Sequence, residues 1–220
     1  MAKYVTLIPL RGGSKGIPRK NIKIVNGKPL FYYVVQASLS VGLKTVVSTE
    51  DKEIKQKSLE LFNTLKVIDR PEVYALDNSS TEEVIEHYLT LDNTVENIIL
   101  LQATSPLTTS EDIRKSIELF EKNNLKPLIS VVKCHSFIWS KYGIPQNYDP
   151  KNRPRRQDWD GYYVENGAIY IFTREHFEKY KCRCSNRSTL YEMKSNSIFE
   201  IDDLDDLEVI SNILKKRDIF

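Results

Sequence analysis

Short runs rich in β-branched residues alternate along the chain with segments whose apolar positions recur every three to four residues. Residues 4–10, YVTLIPL, read as a buried strand. After a polar loop, residues 29–41 carry a helical period, with Pro29 near the start and Gly42 just past the end. Residues 44–50 then predict a strand, 51–62 a helix and 65–69 another strand. A helix is predicted over 80–91, capped by Ser80 or Thr81 with glutamates in its first turn. Residues 97–102, NIILLQ, form a strongly apolar strand, 110–122 a capped helix and 127–132 the next strand. This order predicts an α/β fold, a Rossmann-like and mostly parallel sheet flanked by helices on both faces. Ligands of such sheets bind beyond the carboxyl ends of the strands. Three polar clusters fall there: 11–21, 70–80 and 102–108.

The rhythm breaks at 133–165, which holds two tryptophans and three prolines without a helical period. This stretch reads as an inserted arm within a single domain spanning 1–220, expected to contact a second subunit. The alternative, a long surface loop, is unusual in a compact domain. Regular structure resumes with a strand at 166–172, a helix at 173–180, a strand near 198–201 and a last helix through 203–216.

Composition narrows the class. Apolar residues make up 40% of the 220 and charged residues 28%, the balance of a globular protein with a real core. A net charge of +2 gives no overall electrostatic case for a nucleic-acid partner. No apolar run approaches the roughly 18 residues of a membrane span, and the N-terminus lacks a signal-peptide pattern. Three cysteines argue against a disulfide framework and fit a reducing cytoplasm. Cys182 and Cys184 lack a second pair of ligands, so zinc is not expected.

The loop after the first strand, RGGSKGIPRKN (11–21), packs three glycines and four basic side chains into eleven positions. It is neither a Walker A motif nor G-x-G-x-x-G. Its chemistry still suits a polyphosphate. Gly12 and Gly13 let backbone N–H groups approach an anion, Ser14 adds a hydroxyl, and Arg11, Lys15 and Lys20 supply charge.

That loop resembles the first-strand signature of the CMP-sialic acid synthetases, or acylneuraminate cytidylyltransferases. Four more segments match in order. RPEVYALDNSST (70–81) is similar to the family's Arg-Pro segment, and LLQATSPLT (100–108) to its L-L-Q-P-T-S-P-L-R. RRQDW with YYVENGAIYIF (155–172) resembles its R-Q and N-G-A-I-Y-I segment, and FEIDDLDDL (199–207) its terminal D-I-D run. The resemblance implies CTP and a nine-carbon sugar acid as substrates, with a CMP-sugar and pyrophosphate as products, and it implies a homodimer. It assigns Arg11, Ser14 and Lys20, with Asn21 alongside, to the triphosphate. Arg70 and Ser79 or Ser80 go to the cytidine portion. Gln102, Thr104, Arg156, Gln157, Asn166 and Tyr170 go to the acceptor sugar, where Arg156 suits a carboxylate. The chain departs from the family at Ala103, Thr108 and Glu200.

Glu200 and Asp202 are the expected Mg²⁺ ligands. On a strand, both carboxylates of this i, i+2 pair face one side, about 6.5–7 Å apart along the chain. Mg²⁺ commonly takes one or two carboxylates and completes its shell with water and phosphate oxygens. Asp203, Asp205 and Asp206 are read instead as acidic residues opening the last helix. Arg11, Lys20 and Asp202 are the expected catalytic residues. Cys134-His135 lacks an orienting third group for a thiol nucleophile, and the basic run 151–156 lacks stacking motifs for nucleic acid. Two rivals stand beside the leading reading: a synthetase for the eight-carbon acid Kdo, and a non-catalytic nucleotide-binding protein of the same fold.

Overall fold

A computed structural model describes residues 4–217. In chain order the elements are β1 (Tyr4–Pro9), a two-residue hairpin of β2 (Ile24–Val25) and β3 (Lys28–Pro29), and α1 (Phe31–Ser40). There follow β4 (Lys44–Thr49), α2 (Lys52–Leu61), β5 (Lys66–Asp69), α3 (Thr81–Leu91), β6 (Asn97–Leu101) and α4 (Ser110–Lys122). The chain ends with β7 (Leu128–Cys134), β8 (Tyr162–Thr173), α5 (Arg174–Tyr180), β9 (Thr189–Glu192) and α6 (Leu204–Arg217). Seven strands form one sheet in the order β5-β4-β1-β6-β8-β7-β9. β1 pairs in parallel with β4 on one side and β6 on the other, while β8 runs antiparallel to both β6 and β7.

Alternation along the strands sorts the core into two layers. Val5 and Leu7 of β1 face a cluster with Ile85 and Tyr88 of α3 and Phe177 of α5. Ile8 faces the opposite layer, with Phe31 and Val34 of α1, Ile54 of α2 and Ile113 and Phe120 of α4. Helices thus cover both faces, as expected for a sheet buried on two sides. The cap expected at Ser80 forms as a reciprocal capping box; Thr109 builds a second one, and Asp51 receives the Ile54 N–H at the start of α2. A third cluster joins Ile17, Leu30 and Tyr33 to Ile201, Ile210 and Leu214, so α6 clamps the middle of the glycine loop.

One predicted strand does not form, and one observed strand was not predicted. No strand forms near 198–201. That stretch leaves a 3₁₀ turn at Ser195–Ile198 and crosses the sheet end as irregular chain. Its one deeply buried apolar side chain, Ile201, goes into the α6 cluster rather than onto a sheet face. The place at the sheet edge beside β7 is taken by β9, which the sequence pattern did not reveal. Residues 135–161 form the arm as an excursion from a continuous β7–β8 hairpin, whose last pair is Cys134 with Tyr162. An aromatic knot orders it. Phe137 stacks on Trp159 at 4.9 Å between centroids and meets Tyr148 at 4.2 Å, while the Arg153 guanidinium lies 4.3 Å from the Phe137 ring.

Candidate active site

The carboxyl ends of β1, β5 and β6 open onto a cleft of about 580 Å³, at the point where chain order reverses across the sheet. β1 delivers the glycine loop, β5 delivers Arg70, β6 delivers Gln102 and Thr104, and the chain before α6 delivers Glu200 and Asp202. Arg11, Ser14, Lys15, Lys20, Asn21, Ser79 and Ser80 also line it.

Several of these residues already hold the loop in place. Asn21, almost fully buried, donates from Nδ2 to the Arg11 carbonyl at 2.8 Å and so closes the loop on itself. Arg19 takes a left-handed backbone conformation at φ 57° and pairs with Asp51 and Glu53. Gly12 does not offer its N–H to the cleft, because that group donates to Glu50 Oε1 at 2.6 Å. Ser79 donates to the Val73 carbonyl, and Ser80 serves as the cap of α3.

Charge is unevenly spread. Arg11 and Lys15 reach Asp77 at 3.5 and 2.9 Å, so an exposed carboxylate of the protein sits between two cations of the cleft. Arg70 is 5% exposed, donates to the Ser48 carbonyl and faces Glu50 at 3.3 Å. Burial lowers its pKa below the ordinary arginine value, and the nearby Arg11 charge adds to that. Thr104 Oγ1 is buried with no hydrogen-bond partner among the described residues, a polar group in the wall of the cleft.

The two predicted metal ligands do meet at this cleft, but through irregular chain rather than a strand. Asp202 is exposed, and its Oδ1 lies 3.1 Å from Lys20 Nζ, which also donates to the Ile201 carbonyl at 2.7 Å. Glu200 is pushed above the usual carboxylate range, first by burial and then by the Asp202 charge. A half-buried Glu200 and an exposed Asp202 with one ammonium beside them fit a divalent cation bound mainly through phosphate oxygens and water. The backbone makes room for both. A Cβ at Gly16 would overlap the Asp202 carbonyl, and one at Gly167 would overlap the Glu200 carboxylate.

Asn166 and Tyr170 lie away from the cleft. Both are buried in β8, Asn166 within and Tyr170 just after a bulge where Ser130 of β7 alone faces residues 166–169. Ser130 donates to Asn166 Oδ1 at 2.6 Å and receives the Ile169 N–H at 2.8 Å. Asn166 Nδ2 donates to the Ser197 carbonyl at 3.0 Å, tying the bulge to the segment that carries Glu200. Tyr170 donates to Glu165 at 2.5 Å, with the Arg183 guanidinium 4.6 Å from its ring. Burial first, then the Glu165 contact, raises the Tyr170 pKa far above the ordinary phenol value. Arg156 and Gln157 sit in the arm, and Arg156 lines a separate cavity of about 330 Å³ with Cys134, His135 and Trp159. Sequence reasoning missed Glu50, Asp77 and Gly167. Glu50 follows directly on β4, Asp77 lies inside the quoted Arg-Pro segment, and Gly167 lies inside the quoted N-G-A motif.

Residues 5–220 match the family described as Cytidylyltransferase. An N-acylneuraminate cytidylyltransferase of Oncorhynchus mykiss is 39% identical over 181 residues, covering 79% of this chain and 42% of that protein. N-acylneuraminate cytidylyltransferase A of Danio rerio is 35% identical over 205 residues, covering 89% and 47%. The chain therefore spans about half the length of these curated relatives. A pseudaminic acid cytidylyltransferase of Campylobacter jejuni is 27% identical over 224 residues, covering 97% of each. Among solved structures, a CMP:2-keto-3-deoxy-manno-octonic acid synthetase complexed with CTP aligns at a TM-score of 0.74 and 17% identity, covering 98% of this chain and all of that one. That likeness concerns the fold. The match across residues 5–220, with the relatives above 30% identity, shows that this chain belongs to the cytidylyltransferase family.

Proposed function

We propose that the chain joins CTP to a nonulosonic sugar acid of the sialic, legionaminic or pseudaminic type, releasing pyrophosphate. The observation that carries this reading is the meeting, in one cleft, of a basic glycine loop, a buried arginine and a carboxylate pair from three separate parts of the chain. The relatives named above support the choice of nucleotide and acceptor class.

In this reading the acceptor's anomeric oxygen forms a bond to the α-phosphorus of CTP. The bond from that phosphorus to the bridging oxygen breaks, the hydroxyl proton passes to solvent water, and pyrophosphate leaves with the bridging electrons. Such transfer asks the protein chiefly for positioning and charge stabilisation. Arg11, Lys15 and Lys20 bind the polyphosphate and neutralise the departing charge, and Ser14 adds a hydroxyl donor. Arg70 and the Ser79–Ser80 wall hold the nucleoside end, and Gln102 and Thr104 face the acceptor. Asp202 and Glu200 would hold Mg²⁺, which when bound supplies charge to the phosphate oxygens and acidifies the attacking hydroxyl. The exposed apolar side chains Trp139, Tyr142 and Ile144 support a homodimer formed through the arm. A cytoplasmic site is in keeping with three cysteines that form no disulfide, and no described helix is long and apolar enough to cross a membrane.

Pyrophosphate release from CTP and Mg²⁺, measured against a panel of sugar acids, tests the reading. Release with at least one nonulosonic acid is expected. Release with the eight-carbon acid alone would replace it by the Kdo reading. CTP binding without release for any acceptor would replace it by a non-catalytic role.

A further inference from the structure

The end of β4 presents a carboxylate that none of the steps above uses. Glu50 is largely buried, with its side chain 15% exposed, and it touches two working parts of the cleft. Its Oε1 accepts the Gly12 N–H at 2.6 Å, and its Oε2 lies 3.3 Å from the Arg70 guanidinium. The glycine loop is seated closely on this strand end, since a Cβ at Gly12 would come within 2.5 Å of Asp51 Oδ2. Arg70 arrives from β5, donates to the Ser48 carbonyl at 3.0 Å, and leaves Nε without a hydrogen-bond partner among the described residues. Two parts delivered by different strands thus meet on one side chain of a third.

We infer that Glu50 is a positioning residue that locks the polyphosphate loop to Arg70, so that both ends of a nucleoside triphosphate meet one rigid frame. A buried guanidinium needs a counter-charge to stay in place as a cation, and Glu50 supplies it. A backbone N–H bound to a carboxylate is a charge-assisted bond, stronger than one to a neutral acceptor. The arrangement also explains why a polyanion site keeps a carboxylate against its frame. On charge alone, Glu50 opposes an incoming phosphate, and removing it tightens binding. As an anchor, it does the reverse. The two roles predict opposite signs.

The inference rests on the cleft binding a nucleotide, and the test separates the two. Calorimetric titration uses two probes, pyrophosphate for the loop and CMP for the Arg70 end. Glu50→Gln keeps an oxygen for the Gly12 N–H but removes the counter-charge. It is expected to bind pyrophosphate as tightly as the wild type or tighter, and CMP roughly tenfold more weakly, the scale of one buried charged contact. Glu50→Leu removes both contacts and is expected to weaken both probes despite the lost negative charge. If that variant does not fold, the split between probes in Glu50→Gln still decides. Unchanged CMP affinity in Glu50→Gln, or an equal loss of both probes there, overturns the inference while leaving the nucleotide site standing. A wild-type protein that binds neither probe overturns the nucleotide reading and this inference with it.

Discussion

Gly167 lies directly beneath the Glu200 carboxylate, with so little space between them that a Cβ at 167 would overlap the acid. The glycine has φ +64°, inside the β8 bulge stapled by Ser130 and Asn166. A side chain there meets two penalties at once, the left-handed backbone at about 1–2 kcal/mol and the displacement of Glu200. Gly167→Ala is therefore expected to lower the melting temperature by a few degrees. It should also reduce turnover by at least roughly tenfold, because small misplacements of a reacting group carry large kinetic costs. Thermal unfolding and steady-state rates check this, and full activity in the variant would remove Glu200 from the working site.

This contact marks the limit of what the sequence reveals. The apolar runs of β1, β4 and β6 are legible because central parallel strands are buried on both faces, and helix caps such as Ser80 leave a local signature. The glycine loop, Arg70 and Gln102 are legible for a related reason: each follows directly on a strand end. β9 escapes because an edge strand, half exposed on alternate residues, carries a weak pattern. The false strand at 198–201 arises from the alternation F-E-I-D, which suits a strand equally well as an irregular crossing whose isoleucine packs under α6. Asn166 and Tyr170 share the site's motif yet support it from behind, since a bulge resets which side each residue faces. Glu50 is invisible for another reason: its role exists only once β4 lands beside β1.

Asp77 pairs with Arg11 and Lys15, the same cations that a polyphosphate in the cleft would engage. Both ion pairs are solvent-accessible, and exposed pairs are worth only about 0.2–1 kcal/mol. Asp77→Asn should accordingly tighten pyrophosphate binding by roughly two- to fivefold, with the gain shrinking as salt is raised. Titration at low and high ionic strength measures it. Weaker binding in the variant would mean that Asp77 helps hold the ligand rather than competing with it.

Asp92 gives the fold an acid-sensitive point remote from the cleft. Lys44 at 2.6 Å, the Thr94 N–H and hydroxyl at 3.0 and 2.8 Å, and the Tyr88 hydroxyl at 3.1 Å all favour its ionised form. They hold its carboxyl far below the usual range, Lys44 contributing most. A folded pKa below the unfolded value of about 3.9 stabilises the protein above that pH, and the stability is lost as pH falls through the folded value. Urea midpoints followed from neutral pH down to about pH 3 should therefore decline more steeply in the wild type than in Asp92→Asn, which starts less stable and flattens at acid pH. Parallel curves would assign the acid limb to other carboxylates.

Asp202 and Glu200 should separate on substitution, because one is exposed and the other buried. Asp202→Asn leaves packing untouched, for its side chain is 76% exposed and contacts Lys20 at the surface of the cleft. Its melting temperature should match the wild type within about a degree, while Mg²⁺-dependent turnover falls by roughly a hundredfold or more, as for loss of a metal ligand. Glu200→Gln removes a carboxylate that burial and Asp202 both disfavour. It should lose turnover too, yet unfold a few degrees higher, since about 1 kcal/mol shifts a domain of this size by roughly 2–4 °C. Calorimetry of Mg²⁺ binding in the presence of CTP, set beside thermal scans, distinguishes the two. Near-normal turnover in Asp202→Asn would exclude it from the metal site, and a lower melting temperature in Glu200→Gln would mean that the acid stabilises the bulge it rests on.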